Sequence, residues 1–262
     1  MLVLVFPNIN SIILQASISE CEFSIYWYSI LYMVFVIIAQ YIIQIIAIQF
    51  HVKQLDTSSF WRLIIYLLSG IILGGYLGYI VLYLPHLIVN NFYHVVNIRS
   101  GGLSFYGGVF GVVVTILIFS FNNNHNFFSI TDIITCIAPM GIFFGRIANF
   151  INSELVGIKT LSWYGIVFFY NDIVRYPSQL YEACVEGLIV LLVMLLSIDI
   201  RCVRKKNSGF TTIFLLHYSS FRFIVELLRQ TNYQIWFIQY LTLGQVLSIV
   251  MLIIGIILVL TY

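Results

Sequence analysis

Long apolar runs separated by short polar breaks set the pattern of this chain. A helix that crosses a bilayer needs about 20 mostly apolar residues. Seven stretches reach that length, roughly 24–48, 61–84, 103–121, 131–150, 179–199, 210–229 and 241–261. The runs are continuous rather than alternating, which excludes the dyad pattern of a membrane β-barrel. The fourth and sixth runs each carry an arginine in their C-terminal half. The 151–178 break carries Trp163, Tyr164, Tyr170 and Tyr176, residues that suit a small head resting at a membrane interface. The pattern predicts an all-α polytopic membrane protein. It has seven transmembrane helices in a single integral membrane domain over 1–262, with 151–178 as an outward-facing head insertion. The opening MLVLVFPNINSIILQ has no positive n-region and no small-residue cleavage site, so it is not read as a cleaved signal peptide. It is expected to be a short arm lying on the membrane.

Composition agrees. Hydrophobic residues make up 61% of the chain, charged residues 8%, and mean hydropathy is +1.02. An average soluble domain is about 25% charged, so 12 basic and 10 acidic residues cannot cover a water-facing surface. The net charge of +2 and the lack of any basic stripe beyond RCVRKK (201–206) give no nucleic-acid surface. That basic run does orient the chain. Arg201, Arg204, Lys205 and Lys206 follow the fifth span, and Lys53 and Arg62 border the first and second. With seven spans these lie on one side, which is cytoplasmic by the positive-inside rule. The C-terminus is then cytoplasmic; the N-terminus, 85–102, 151–178 and 230–240 face outward.

The four cysteines (Cys21, Cys136, Cys184, Cys202) form no CxxC pair and are expected as small apolar core residues. No HExxH and no acidic cluster is present, so no metal and no cofactor is expected. His51, His125 and His217 are read as ordinary surface or core residues, while His86 and His94 fall on the outward side. Gly70, Gly74 and Gly78 recur every fourth residue, as do Gly107 with Gly111 and Gly141 with Gly145. Small residues at this spacing let helix backbones approach closely. The cluster GGLSFYGG (101–108) is too glycine-rich for ordinary helix, and is expected to present free N–H groups to an anion.

Ionisable residues inside apolar spans point to function, because each costs several kcal/mol unless it is paired or reaches water. In GRIANFINSELVG (145–157), Arg146 and Asn149 share a helix face and Asn152 continues that stripe. Snorkelling explains the arginine alone, but not the aligned asparagines. In FRFIVELLRQ (221–230), Arg222, Glu226 and Arg229 project from one face. Two arginines against one glutamate leave a positive excess, and the arginine fork suits phosphate. In YPSQLYEACVEG (176–187), Gln179, Glu182 and Glu186 share a face of the fifth helix. Both glutamates are read as ion-pair scaffolding, with Glu182 the natural partner for an arginine of either other set. A ring of arginine and amide at the outward helix ends fits a phosphate-bearing lipid.

These stretches resemble one family. GRIANFINSELVG is similar to the signature of the prolipoprotein diacylglyceryl transferases. YWYSILY (26–32), GGLSFYGG, PSQLYEACVEG (177–187), and FRFIVELLRQ with LTLGQVLS (241–248) match further blocks in the same order. The resemblance runs from about residue 23 to the C-terminus. It implies seven transmembrane helices with an outward head, in the cytoplasmic (inner) membrane of a bacterium. The implied reaction transfers the diacylglyceryl group of phosphatidylglycerol to the lipobox cysteine thiol of a prolipoprotein, beside its signal peptide. A thioether forms and glycerol phosphate leaves. The implied partners are thus phosphatidylglycerol, the prolipoprotein and the lipid bilayer. On this resemblance Arg146 and Arg222 hold the departing phosphate and Asn149 orients the headgroup. Glu154 anchors the head loop, Gly157 allows its turn, and Tyr28 stands near the cavity. Glu226 and Arg229 lock the sixth helix, and Asn152, Gln179 and Glu182 complete the substrate-binding set.

Three positions depart from the family pattern. Tyr106 and Tyr176 stand where members often have histidine, and Tyr76 where an arginine often stands. Tyrosine, with a reference pKa of about 10, is a poor resting base. Tyr106 therefore only positions the lipid, or changes its acidity, or leaves the thiol proton to Glu154, His94 or the substrate phosphate. Two other readings compete. One is an anionic-lipid transporter or scramblase, against which no inverted repeat is visible between the halves. The other is a catalytically inactive, lipid-binding relative.

Overall fold

The computed structural model describes residues 4–7, 9–18, 21–49, 57–84, 102–168, 173–230, 234–235 and 238–261. Its described helices are α1 (Trp27–Gln49), α2 (Thr57–Tyr83), α3 (Phe105–Asn122), α4 (Phe127–Ile151), α5 (Ser178–Ser197), α6 (Arg201–Lys205), α7 (Gly209–Val225) and α8 (Leu243–Thr261). Six of them, α1 to α5 and α8, are long and apolar enough to cross a membrane. The seventh expected span, 210–229, is α7 followed by a 3-10 turn at Glu226–Leu228. Its 17 α-helical residues span only about 26 Å.

The all-α expectation needs correction, because short strands are also present. Residues 24–26, expected at the start of the first span, instead end β3 (Cys21–Tyr26), which pairs antiparallel with β2 (Ile12–Ile18). β1 (Leu4–Val5) runs parallel to β4 (Ile166–Val167), which pairs antiparallel with β5 (Val174–Arg175). A last pair joins β6 (Gln234–Ile235) and β7 (Ile238–Thr242).

The described chain forms two compact units. The first holds residues 1–43 and 132–262, the second residues 44–131. In the first unit, Phe6 packs in a small core with Ile166 and Phe168, bordered by Phe150 and Val156. Phe6 meets Phe150 at 5.1 Å and Phe168 at 5.5 Å between ring centroids. The N-terminal stretch expected to lie on the membrane as an arm thus supplies a strand and a core residue to the 151–178 segment. Asp132 caps α7 from a distance: its carboxylate accepts from Thr211 N at 2.8 Å and Thr211 Oγ1 at 2.6 Å. A carboxylate here also meets the positive end of the helix dipole.

The second unit is built around α2 against α3. A Cβ added at Gly70 would meet the Gly111 carbonyl oxygen at 2.6 Å, and one at Gly74 the Gly111 Cα at 2.7 Å. The glycine spacing therefore serves backbone contact, as expected. It also corrects the reading of GGLSFYGG. Ser104 N-caps α3 and accepts from Gly107 N at 3.3 Å. Gly108 N donates to Ser104 O, and Ser104 N to Gly75 O. The N–H groups of Ser104, Gly107 and Gly108 are thus bonded within the unit, not held open for an anion; Gly101 lies outside the described residues. Of the cysteines, Cys136 is buried as expected, but Cys184, on apolar α5, and Cys202, on the short basic helix α6, are exposed. His51, His86 and His94 lie outside the described residues.

Candidate functional site

The site is assembled in the first unit by α4, α5, α7 and the start of α8. Close approach of α4 to α5 comes first. Gly187 has no side chain, so the Phe143 backbone lies against it; an added Cβ would stand 2.7 Å from Phe143 Cβ and 2.8 Å from its Cα. Arg146 is one turn further along α4, on the same face. This contact therefore delivers its guanidinium to the buried glutamates of α5. The ladder of α5 is π-helical over Ala183–Ile189, a local widening of the kind often found at functional sites.

Three arginines and three glutamates meet here. Arg146 Nη2 lies 2.8 Å from Glu182 and 3.6 Å from Glu186. Arg222 Nη1 lies 2.8 Å from Glu182 and 3.1 Å from Glu186. Arg222 Nη2 lies 2.6 Å from Glu226, and Arg229 Nη1 3.8 Å from Glu226. Glu182 and Glu186 are fully buried. The positive excess expected from the sixth span is thus offset, because α5 supplies two carboxylates. Both terminal nitrogens of Arg222 are committed to carboxylates and its side chain is 4% exposed. Arg146 and Arg229 keep more access, at 12% and 18%. In such a cluster, removal of one partner costs about 3–5 kcal/mol, because a buried charge is left uncompensated.

A second, neutral set surrounds Glu154. α4 ends at Ile151, and the chain turns through two non-glycine residues with positive φ, Ser153 and Leu155. Glu154 N donates back to Asn149 O at 2.9 Å. The Glu154 carboxylate accepts from Tyr28 OH at 3.3 Å, Asn149 Nδ2 at 3.5 Å and Asn152 Nδ2 at 3.3 Å. Asn149 Nδ2 also donates to Tyr28 OH, and Arg146 Nη1 to Asn149 Oδ1 at 3.5 Å. The aligned arginine and asparagines of the sequence are therefore one chain of contacts leading from the ion pairs to an exposed carboxylate. The first turn of α5 holds this loop: Ser178 Oγ donates to Leu155 O at 2.9 Å, and Gln179 Nε2 to Glu154 O.

Gly157 has another role than the expected turn. Its φ is not positive. It sits in a bridge with Arg229, and a Cβ would stand 2.7 Å from Leu228 O. It is a point of close approach between the loop and the end of α7. Tyr106 belongs to the second unit, half-buried in the first turn of α3, and Tyr76 is buried in α2 of the same unit. Tyr176 pairs with Ser162 Oγ at 3.3 Å. Hydrogen bonds from Ser162 and then Thr160 draw its phenol below the ordinary pKa.

A sequence model described as prolipoprotein diacylglyceryl transferase matches residues 16–261. The chain belongs to this family. Among similar proteins are the phosphatidylglycerol–prolipoprotein diacylglyceryl transferases of three Rickettsia species. That of Rickettsia bellii is 40% identical over 256 residues, covering 97% of this chain and 95% of the relative. That of Rickettsia typhi is 40% identical over 254 residues (96% of each chain), and that of Rickettsia akari 40% over 253 residues (95% of each).

In this member of the transferase family, several supporting residues went unread in the sequence. Arg175 is buried in the loop segment, where its Nη1 donates to Gly157 O at 3.2 Å and to Gln230 Oε1. Nothing in a linear sequence marks such a loop arginine as buried. Thr242 and Gln245 form a capping box at the start of α8: Thr242 N donates to Gln245 Oε1 at 3.0 Å, and Gln245 N to Thr242 Oγ1 at 3.2 Å. Thr242 Oγ1 also donates to Glu226 at 3.2 Å, whose carboxylate lies against Gly244. That signal was legible, since T-x-x-Q before an apolar run is a helix-start pattern.

Proposed function

We propose that this transferase moves the diacylglyceryl group of phosphatidylglycerol to a prolipoprotein cysteine, and that Arg146 is the arginine that receives the phosphate. The observation that carries this reading is the unequal commitment of the arginines. Arg222 is held by three carboxylates, whereas Arg146 is more exposed and is linked through Asn149 to the Glu154 carboxylate. Arg222 then fixes Glu182, Glu186 and Glu226, and so aims Arg146 and Arg229. Asn149 and Asn152 orient neutral oxygens of the headgroup, and Tyr28 closes that side.

The sulfur bonds to the glycerol carbon, the carbon–oxygen bond to phosphate breaks, and its electron pair goes to the departing glycerol phosphate. Negative charge grows on that phosphate, and a fixed cation in a dry site stabilises it more than water does. Thiolate is the nucleophile. Among the described residues of the first unit, Glu182, Glu186 and Glu226 are ion-paired, Asp132 caps α7, and Asp199 lies beyond the C-terminal end of α5, away from its first turn that holds the Glu154 loop. Glu154 is held by neutral groups and is exposed, so it accepts the thiol proton, in preference to Tyr106. The protein sits in the bacterial cytoplasmic membrane with α7 as its seventh span, the head and N-terminus outward and the C-terminus cytoplasmic.

The test uses vesicles with phosphatidylglycerol and lipobox peptides carrying cysteine or selenocysteine. A selenol is already ionised near neutral pH, so it needs no base. Glu154→Gln is expected to lose activity on the thiol and keep it on the selenol. Equal loss on both peptides would remove Glu154 as the proton acceptor. Arg146→Lys keeps a charge but not the fork, and is expected to lose turnover on both. Bound lipid without any adduct in the unaltered protein would favour the lipid-binding reading.

A further inference from the structure

The turn at Leu161–Tyr164 carries large apolar side chains into the open. Leu161 is 92% exposed, Trp163 72% and Tyr164 42%. The turn is nevertheless ordered by its own hydrogen bonds. Thr160 N donates to Val174 O at 3.0 Å, Ser162 N to Thr160 Oγ1 at 3.1 Å, and Gly165 N to Ser162 O at 3.0 Å. Ser162 Oγ is paired with Tyr176 OH. Lys159 beside it is exposed, and no acidic residue occurs between 155 and 170.

A chain of aromatic rings connects this tip to a membrane helix. Trp163 lies 5.5 Å from Tyr164, Tyr164 5.8 Å from Tyr176, and Tyr176 6.5 Å from Tyr181. Tyr181 is in the first turn of α5, which is long and apolar enough to cross a membrane. The exposed tip is therefore continuous with the end of a membrane span.

We propose that this turn docks into the headgroup layer of the same membrane, with Leu161 and Trp163 at the acyl boundary and Lys159 over anionic phosphates. Backbone, ring type and charge together select a lipid surface. Backbone entering an apolar layer needs its N–H groups satisfied, and the turn satisfies those of Thr160, Ser162 and Gly165 internally. Tryptophan and tyrosine settle at the membrane–water interface, where an apolar ring and a polar tip are both accommodated. An exposed lysine in a stretch, 155–170, whose sequence carries no acidic residue complements anionic lipid. The contact fixes the height of the Leu161–Tyr164 turn at the membrane surface. It goes beyond the transferase reading and rests on the membrane-spanning helices alone.

The test compares tryptophan emission of the native protein and Trp163→Phe in vesicles of phosphatidylcholine and phosphatidylglycerol, with and without bromine on the acyl chains. Trp163 is exposed, so the variant is expected to fold. The difference between the two proteins isolates Trp163. Loss of that difference emission to brominated lipid is the expected result. Its persistence in brominated vesicles overturns the proposal; iodide then tells whether the ring is in water or under protein.

Discussion

Gly187→Ala tests the claim that helix contact, rather than the arginine's own reach, sets the position of Arg146. The added Cβ would stand 2.7 Å from Phe143 Cβ, whereas ordinary contact begins near 3.4 Å. The neighbour is largely backbone and has no rotamer to change. α4 must therefore withdraw by at least about 0.7 Å, the difference between those distances. Arg146 moves with it, and its 2.8 Å approach to Glu182 lengthens to about 3.5 Å. At an effective dielectric near 20 that loss is on the order of 1 kcal/mol, and overpacking adds about 1–3 kcal/mol. A misplacement of about 1 Å at a catalytic group costs up to about 100-fold in rate, so turnover should fall about 10- to 100-fold. Thermal unfolding in detergent and transfer to a lipobox peptide measure both effects. Gly255→Ala is the control, because its nearest neighbour, Leu216 Cδ2 at 3.1 Å, is the end of a side chain that can turn aside, and Leu215 Cβ at 3.3 Å is already close to ordinary contact. Wild-type turnover in Gly187→Ala would refute the reasoning.

Other residues carry separate predictions. Thr242→Ala removes the cap of α8 and a donor to Glu226, and should cost about 1–2 kcal/mol of stability in chemical unfolding. Asp132→Ala removes the distant cap of α7; it should lower stability by a similar ~1–2 kcal/mol, while the stable fraction keeps its turnover. Tyr106→Phe should retain most activity in the peptide assay, because the proton goes elsewhere; a loss as deep as that of Glu154→Gln would restore Tyr106 as the acceptor.

The membrane character of the chain was legible because apolar run length is a one-dimensional property. Arg146 with Asn149 and Asn152, and Glu182 with Glu186, were legible as stripes because helical spacing fixes which residues share a face. The pairing between stripes was only half legible. Glu182 could be named as an arginine partner, but the three-to-three balance depends on which helices touch. That in turn depends on Gly187 against Phe143. The two-residue strands such as β1 and β4 were missed because they have no periodicity, and β3 and β7 because each runs straight into an apolar helix, α1 or α8. Gly157 shows another limit: a glycine that looks like a turn in sequence serves contact in space.

The proposed transfer is chemistry at a thiol, and mass spectrometry of a lipobox peptide reads that chemistry directly. The protein would be reconstituted with phosphatidylglycerol of defined acyl chains and the peptide's intact mass recorded, with released glycerol phosphate counted in parallel. The expected result is a mass gain of one diacylglyceryl group on cysteine, one glycerol phosphate per adduct, and no gain on a peptide with serine at that position. An unmodified cysteine peptide, in a preparation that is folded and binds the lipid, would contradict it.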